Sequence, residues 1–312
     1  MGRHKAKEET PQTGLDKRRR SRFWGDAWKR RLPLLPALLF TIVVTQVPFL
    51  FSIYYSLTRW AFNKPREPRE FIGFGNYVDM VSDSFFRTAI WNSVFMTTVA
   101  VLLSLLFGTL IALLLDRSFF GQGLARTLII TPFLVMPVVA SLVWKNQMFN
   151  ATFGVINWLL TMFGLDAIEF STRYPISSII VVLVWQWTPF MMLILLAGLQ
   201  SQSDSILEAA KVDGASAFST FRSITLPHLR RYLELGALLG VIYLSQVFDH
   251  IEVITGGRSS KNVPYFVYQS SVGGGWRFGE ASAYSVVVVI ASIVLANFGL
   301  RVLSGLLEDD GV

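Results

Sequence analysis

The chain contains no cysteine. That absence excludes disulfides, thiolate metal sites and cysteine nucleophiles together. Histidine is nearly missing as well. His4, His228 and His250 lie far apart, and their spacing assembles no metal site. Charge is scarce: Asp, Glu, Lys and Arg make up 16% of the residues, where a soluble domain carries about 25%. Gly256-Gly257-Arg258-Ser259-Ser260-Lys261 lacks the strand–loop–helix spacing of a phosphate-binding loop and reads as a turn. No nucleophile–base pairing stands out, and no hydrophilic stretch is long enough for a separate catalytic domain. The chain is therefore expected to be no enzyme, with no catalytic residue and no bound metal or cofactor.

What is present is apolar and clustered. Hydrophobic residues make up 52% of the chain. They gather into runs that match the roughly 20 residues a helix needs to cross a bilayer. Barrel strands would show short alternating segments instead. Six runs can be drawn, at about Leu34–Leu57, Ile90–Leu115, Leu128–Phe149, Ile176–Leu199, Leu235–Ile254 and Ala283–Leu306. The expected fold is an all-α integral membrane protein of about six spans. A shorter apolar stretch, Gly154 to Leu160, is too short to cross and reads as a helix lying at the outer interface.

Basic residues crowd the approach to the first run: Lys17, Arg18, Arg19, Arg20, Arg22, Lys29, Arg30 and Arg31, with Trp24 and Trp28 among them. One reading is a topology signal with interfacial aromatics. Another is a short helix on anionic headgroups. Both put the N-terminus in the cytoplasm, and six spans return the C-terminus there. The segment does not read as a cleaved signal peptide, because its apolar run is too long and lacks a small-residue cleavage site. Lys145, Asn146 and Gln147 are expected at the outer end of the third run.

Between the fourth and fifth runs lies a polar, helix-forming block, Ser201 to Arg231. Ser203 or Asp204 can cap a helix there. Ile206, Leu207, Ala210, Ala217, Phe218 and Phe221 recur at helical spacing and form an apolar stripe. Gly214 permits a sharp bend, and Pro227 is expected to end the second helix. The block reads as a helix–turn–helix on the cytoplasmic face, with small residues at its corner.

The order Glu208-Ala209-Ala210, two residues, Asp213-Gly214-Ala215, then Ile224 and Leu226-Pro227 resembles the signature loop of binding-protein-dependent ABC importer permeases. The resemblance implies that Glu208, Ala209, Ala210, Asp213, Gly214 and Ala215 form the coupling helix contact with an ATPase subunit. Where the family often has a second proline, this chain has Arg231, which implies a different start to the fifth span. Phe71-Ile72-Gly73-Phe74-Gly75-Asn76-Tyr77, Trp187-Thr188-Pro189-Phe190 and Thr255-Gly256-Gly257 are similar to segments of the maltose-type carbohydrate branch. On this resemblance, 1–31 is a basic cytoplasmic segment, 32–307 a transmembrane permease domain with the coupling loop at 201–231, and 308–312 a cytoplasmic tail. The chain would sit in a bacterial or archaeal cytoplasmic membrane. It would work with a second related permease, an ATP-binding subunit pair carrying ATP and Mg, and an extracytoplasmic solute-binding protein. The cargo would be a sugar or sugar alcohol.

Polar groups inside the runs are candidates for the substrate path, since charges at bilayer depth usually face a cavity or a partner. Gln246, Asp249 and His250 would share one helical face. They are either hydroxyl partners in a path or, for Asp249 and Glu252, solvated interface charges. Trp185, Gln186 and Trp187 offer aromatic faces beside an amide, suited either to sugar contact or to packing. Gly236 and Gly240 are spaced for close helix approach. The competing reading is an ion-coupled secondary carrier of a small polar solute, using Asp249 or Glu252. Such carriers show paired broken helices near the midplane, and no such pair stands out in the sequence.

Overall fold

The computed structural model describes residues 32–61, 64 and 69–308. The basic segment 1–31 and residues 309–312 of the expected tail lie outside the described residues. The chain divides into two compact units, 1–54 and 55–312.

The first unit holds nearly all of α1, Leu35–Ser56. Its 22 residues extend about 33 Å at 1.5 Å each, enough for the roughly 30 Å hydrocarbon core. Hydroxyls within it fold back on the helix: Thr41 Oγ1 donates to Ala37 O and Ser52 Oγ to Pro48 O. The Thr41, Thr45 and Ser52 hydroxyls are thus satisfied within the helix, as a lipid environment demands.

The second unit begins with a short antiparallel pair, β1 Thr58–Arg59 and β2 Glu70–Phe71, in the register Thr58↔Phe71. Helix α2, Gly75–Ser82, follows. Buried Asn76 donates to the carbonyls of Ser56 and Thr58 at 2.7 and 3.0 Å and so locks α2 to the pair. Helix α3, Ser84–Leu115, is capped by the Asp83 carboxylate, which accepts from the Phe85 and Phe86 amides. Helices α4, Gln122–Leu134, and α5, Pro137–Val143, meet at a 100° bend, and α5 continues into a π turn, Trp144–Met148. The short apolar stretch is helix α6, Val155–Met162. Helix α7, Pro175–Gln200, runs unbroken past Pro189.

The polar block forms α8, Asp204–Val212, and α9, Ala217–Thr220. A π turn, Phe221–Thr225, leads into α10, Leu226–Leu244. Pro227 therefore sits at the start of α10 and does not end a helix. It has no amide to donate, and the widened turn just before it lets the chain continue past the ring. After a 59° bend comes α11, Asp249–Thr255. Helices α12, Val263–Ser271, and α13, Phe278–Glu308, complete the chain.

Among the described residues three helices, α1, α3 and α7, are long and apolar enough to cross a membrane, and the number rises to five if each of the two bent pairs is one span. The sixth predicted run falls on α13, whose residues 278–294 are apolar. The fold is an all-α membrane protein of about six spans. The two bent pairs correct the sequence reading, which expected no paired broken helices.

The core of the second unit lies where α3, α7 and α10 pack together. Met191, Met192, Leu195 and Leu183 of α7 are fully buried against Ala100, Val101 and Leu105 of α3 and Leu229 of α10. Glycines set the spacing. A Cβ on Gly108 would lie 2.9 Å from the backbone nitrogen of Met192, so α3 and α7 meet backbone to side-chain base. Gly236 and Gly240 leave room for Leu105, Val101 and Met191, so the expected close approach is made against side chains of both neighbours.

Candidate functional site: the loop between α7 and α10

The fixed spacing of the polar block has a local cause. The Gly214 amide donates to Lys211 O and the Ala215 amide to Ala210 O, at 3.1 and 3.0 Å. These two bonds, with Gly214 left-handed at φ +78°, are a Schellman closure of α8. Asp213 is the last helical-type residue, Gly214 supplies the positive φ without a Cβ penalty, and Ala215 folds back over Ala210. At the other end of α8, Ser203 occupies the cap position, but its hydroxyl bonds Ser205 Oγ at 2.7 Å and makes no bond to the backbone. Ser216 Oγ accepts from the Ser219 amide and opens α9.

Of the six coupling residues expected from the sequence, Glu208, Ala209, Asp213 and Gly214 are exposed, Ala215 is half-buried and Ala210 is buried. A cleft of about 490 Å³ between α8 and the α9–π segment is lined by Ala209, Ala210, Asp213, Ala215, Ser219 and Ile224, among others. Ile206, Val212 and Phe218 are exposed around it. The expected apolar stripe is thus split. Ala210 seals the corner, while Ile206 and Phe218 stay open.

The candidate path residues are divided among different surroundings. Gln186 and His250 come together. Gln186 Nε2 donates to Val135 O at 2.7 Å, which leaves its Oε1 facing His250 Nε2 at 2.8 Å. An amide oxygen only accepts, so Nε2 of His250 carries the proton. Both side chains are buried and both are occupied by protein partners. Trp185 stands edge-on to Trp144 and lines an apolar cavity of about 460 Å³ with Phe107, Ile129 and Val184. Trp187 belongs to an aromatic cluster with Phe133, Phe190 and Tyr243, each centroid 5.6 Å or less from a neighbour. Tyr243 is exposed and the other three half-buried. Gln246 lines a cavity of about 610 Å³ between α10, α12 and α13, together with Ser245, Ser285 and Ser292.

Gln246, Asp249 and His250 do not share a helical face, because the helix ends at Leu244 and restarts at Asp249. Asp249 and Glu252 fall in the first turn of α11, where the helix dipole favours negative charge. Lys145, expected only to mark a span end, donates to Val253 O of α11 at 2.6 Å. Phe133 and Tyr243 escaped the sequence reading. Their aromatic character gave no sign of which helix face they occupy, and only the packing of α4, α7 and α10 brings them to Trp187.

Residues 105–309 match the family of binding-protein-dependent transport system inner membrane components. The chain is 37% identical over 265 residues to a probable ABC transporter permease protein of Sinorhizobium fredii, covering 84% of this chain and 85% of that one. It is 32% identical over 274 residues to the trehalose/maltose transport system permease protein MalF of Thermococcus litoralis, covering 85% and 90%. Among solved structures it is similar to a chain of a bacterial ABC transporter involved in alginate import, with a TM-score of 0.75 at 22% identity, over 91% of this chain and 98% of that one.

Proposed function

This chain belongs to the binding-protein-dependent transport system inner membrane component family, and we propose from that premise that it passes a sugar or sugar alcohol through the membrane of an ATP-driven importer. It is a multi-pass permease subunit and not an enzyme; hydrolysis falls to a separate ATPase. The observation that carries the docking role is the loop between α7 and α10. Its Schellman corner holds Glu208, Ala209, Asp213 and Gly214 exposed beside an open cleft. A short rigid helix of this kind, too polar for lipid, is suited to seat in a partner protein.

In this reading the ATPase pair, with ATP and Mg, grips this loop and its counterpart on a second permease from the cytoplasmic side, where both termini also lie. A solute-binding protein delivers the sugar on the other side. A solved transporter similar in fold has been captured with a periplasmic protein holding an alginate pentasaccharide, which supports such a partner. Closure of the ATPase pair displaces the loops, and the spans rock between two states. ATP drives the change only through its differential affinity for those states. Sugars carry apolar C–H faces and hydroxyl rims. The Trp187–Phe190–Phe133–Tyr243 cluster supplies faces, and Gln246 with Ser245 supplies polar partners in the separate cavity against α12 and α13. Relatives named for trehalose and maltose transport support the sugar class. Gln186 and His250 act in this scheme as braces of the bundle.

The test is uptake of radiolabelled trehalose and maltose by the complete transporter in proteoliposomes, with ATP hydrolysis measured alongside. Glu208→Lys reverses a charge on the docking face. Gly214→Val meets open space within this chain, so here it strains a left-handed position by about 1–2 kcal/mol, and it puts a bulky group on the docking face. Both variants are expected to insert and to hydrolyse ATP while uptake is lost. Uptake retained in both would refute the docking role.

A further inference from the structure

The loop that carries the docking helix leaves α7 at Ser201 and returns at the start of α10. Its two stems are joined by a cluster of polar side chains at its base. Ser201 Oγ lies 2.8 Å from Gly198 O, 3.1 Å from His228 Nε2 and 2.8 Å from the Tyr232 hydroxyl. His228 Nε2 also lies 3.1 Å from Gly198 O. A carbonyl oxygen only accepts, so Nε2 of His228 carries the proton and donates. The remaining directions then follow. Ser201 donates to Gly198 O, Tyr232 donates to Ser201 Oγ, and Tyr232 accepts from Arg231 at 3.3 Å. The Arg231 guanidinium also lies 5.0 Å from the Tyr232 ring centroid.

The backbone is shaped for this contact. A Cβ on Gly198 would meet the Tyr232 ring at 2.6 Å and Leu229 at 2.9 Å. No other residue type lets α10 come so near the end of α7. Ser201 is exposed, and His228 and Tyr232 are half-buried. Water could satisfy all three if they separated, so their bonds add little net stability. Their direction is what they contribute. They fix the end of α7 and the first turns of α10 in one arrangement.

We propose that Ser201, His228 and Tyr232 form a clasp that closes the base of the coupling loop, so that a displacement of α8 reaches α7 and α10 in step. The three are positioning residues; none is assigned a contact with cargo or with the ATPase. The inference rests on the docking role of α8 proposed above. Without the clasp, motion of α8 would be absorbed by the loop and would reach the two helices unequally.

The chain has no cysteine, so spin labels can be placed uniquely at Lys211→Cys on α8 and Val181→Cys on α7, both exposed. Label separation is measured in the assembled transporter in nanodiscs, with partner subunits freed of cysteine, both nucleotide-free and trapped with vanadate. The parent should give one narrow distribution in each state. Ser201→Ala and Tyr232→Phe should each widen the trapped-state distribution about twofold, since a joint with two discrete arrangements is no longer pinned. Tyr232→Phe keeps the ring that packs on Gly198, and the unfolding temperature of both variants should match the parent. Ser201→Thr, which restores the hydroxyl, should narrow the distribution again. Distributions as narrow as the parent's in Ser201→Ala and Tyr232→Phe, or a Thr variant as broad as the Ala one, overturn the clasp. The docking role is read separately from label mobility at Lys211: no immobilisation when the ATPase subunits bind sinks that role and leaves the widths to be judged alone.

Discussion

The chain turns through 100° between α4 and α5 and through 59° between α10 and α11, and the residues at the two corners have little in common. At the first, Val135 and Met136 are extended, with ψ of 133° and 137°, and Pro137 starts the next helix. Proline disfavours helical backbone in the residue before it, so this corner is written locally. The second corner, Ser245 to Phe248, contains no proline. It is held from a distance. Asn262 Nδ2 donates to Val247 O, and the Phe248 ring packs 5.5 and 5.0 Å from Tyr265 and Tyr268 of α12. One bend is marked in its own sequence, the other only in a neighbour. Gln186, on the unbroken helix α7, joins the two. It bonds the carbonyl of Val135 at the first corner and His250 just past the second.

Removing the side chain that the corners share should have the largest effect. Gln186→Leu leaves the buried His250 donor unpaired, at about 1–3 kcal/mol, and frees the carbonyl of half-buried Val135, which adds less. Thermal unfolding of the detergent-solubilised protein should show the loss. The added change His250→Leu should recover part of it, because two apolar partners leave only one orphan. A double variant that costs the sum of the singles would mean that the corners are held independently.

The same contrast explains what was legible beforehand. The apolar runs and the polar block could be read because their causes are local. A run of Leu, Val and Ile either spans or it does not, and the Asp213-Gly214-Ala215 corner is closed by bonds to residues three and five positions back. The first corner also leaves a local mark, since Pro132 and Pro137 interrupt the third run, but apolarity alone does not separate a bent run from a straight one. The second corner was not, because Asn262 and Val247 meet only after α12 has folded back. Gln186 and His250 are 64 residues apart. Both stand out in the sequence as polar groups within apolar runs, but helical spacing does not reveal that each satisfies the other. Gln246 and Asp249 share a face only on an unbroken helix, and the break between Leu244 and Asp249 separates them.

Asn262→Ala should come next in size, and it separates the corners. Asn262 serves twice, holding Val247 O and accepting from the Tyr265 amide as the cap of α12. Loss of the cap alone costs about 1 kcal/mol, and the freed carbonyl adds to it. Hydrogen exchange should accelerate at Ser245 to Phe248 and along the first turn of α12, with no change from Phe133 to Val138. Faster exchange at both corners would instead show that Gln186 transmits the disturbance.

The smallest effect is expected from the residue that most visibly marks a corner. Pro137 stands in the first turn of α5, where its missing amide would have no partner within the helix. In Pro137→Ala the corner keeps its other support, because Gln186 still holds Val135 O at 2.7 Å. What is lost is chiefly the stiffness of the unfolded chain, about 0.4–1 kcal/mol. The unfolding temperature should therefore fall slightly, and amides from Phe133 to Val138 should exchange as before. Strong new protection across Val135 and Met136 would mean that α4 and α5 have joined into one straight helix. Proline alone would then make the first corner, and the tie through Gln186 would be a consequence of the bend rather than one of its causes.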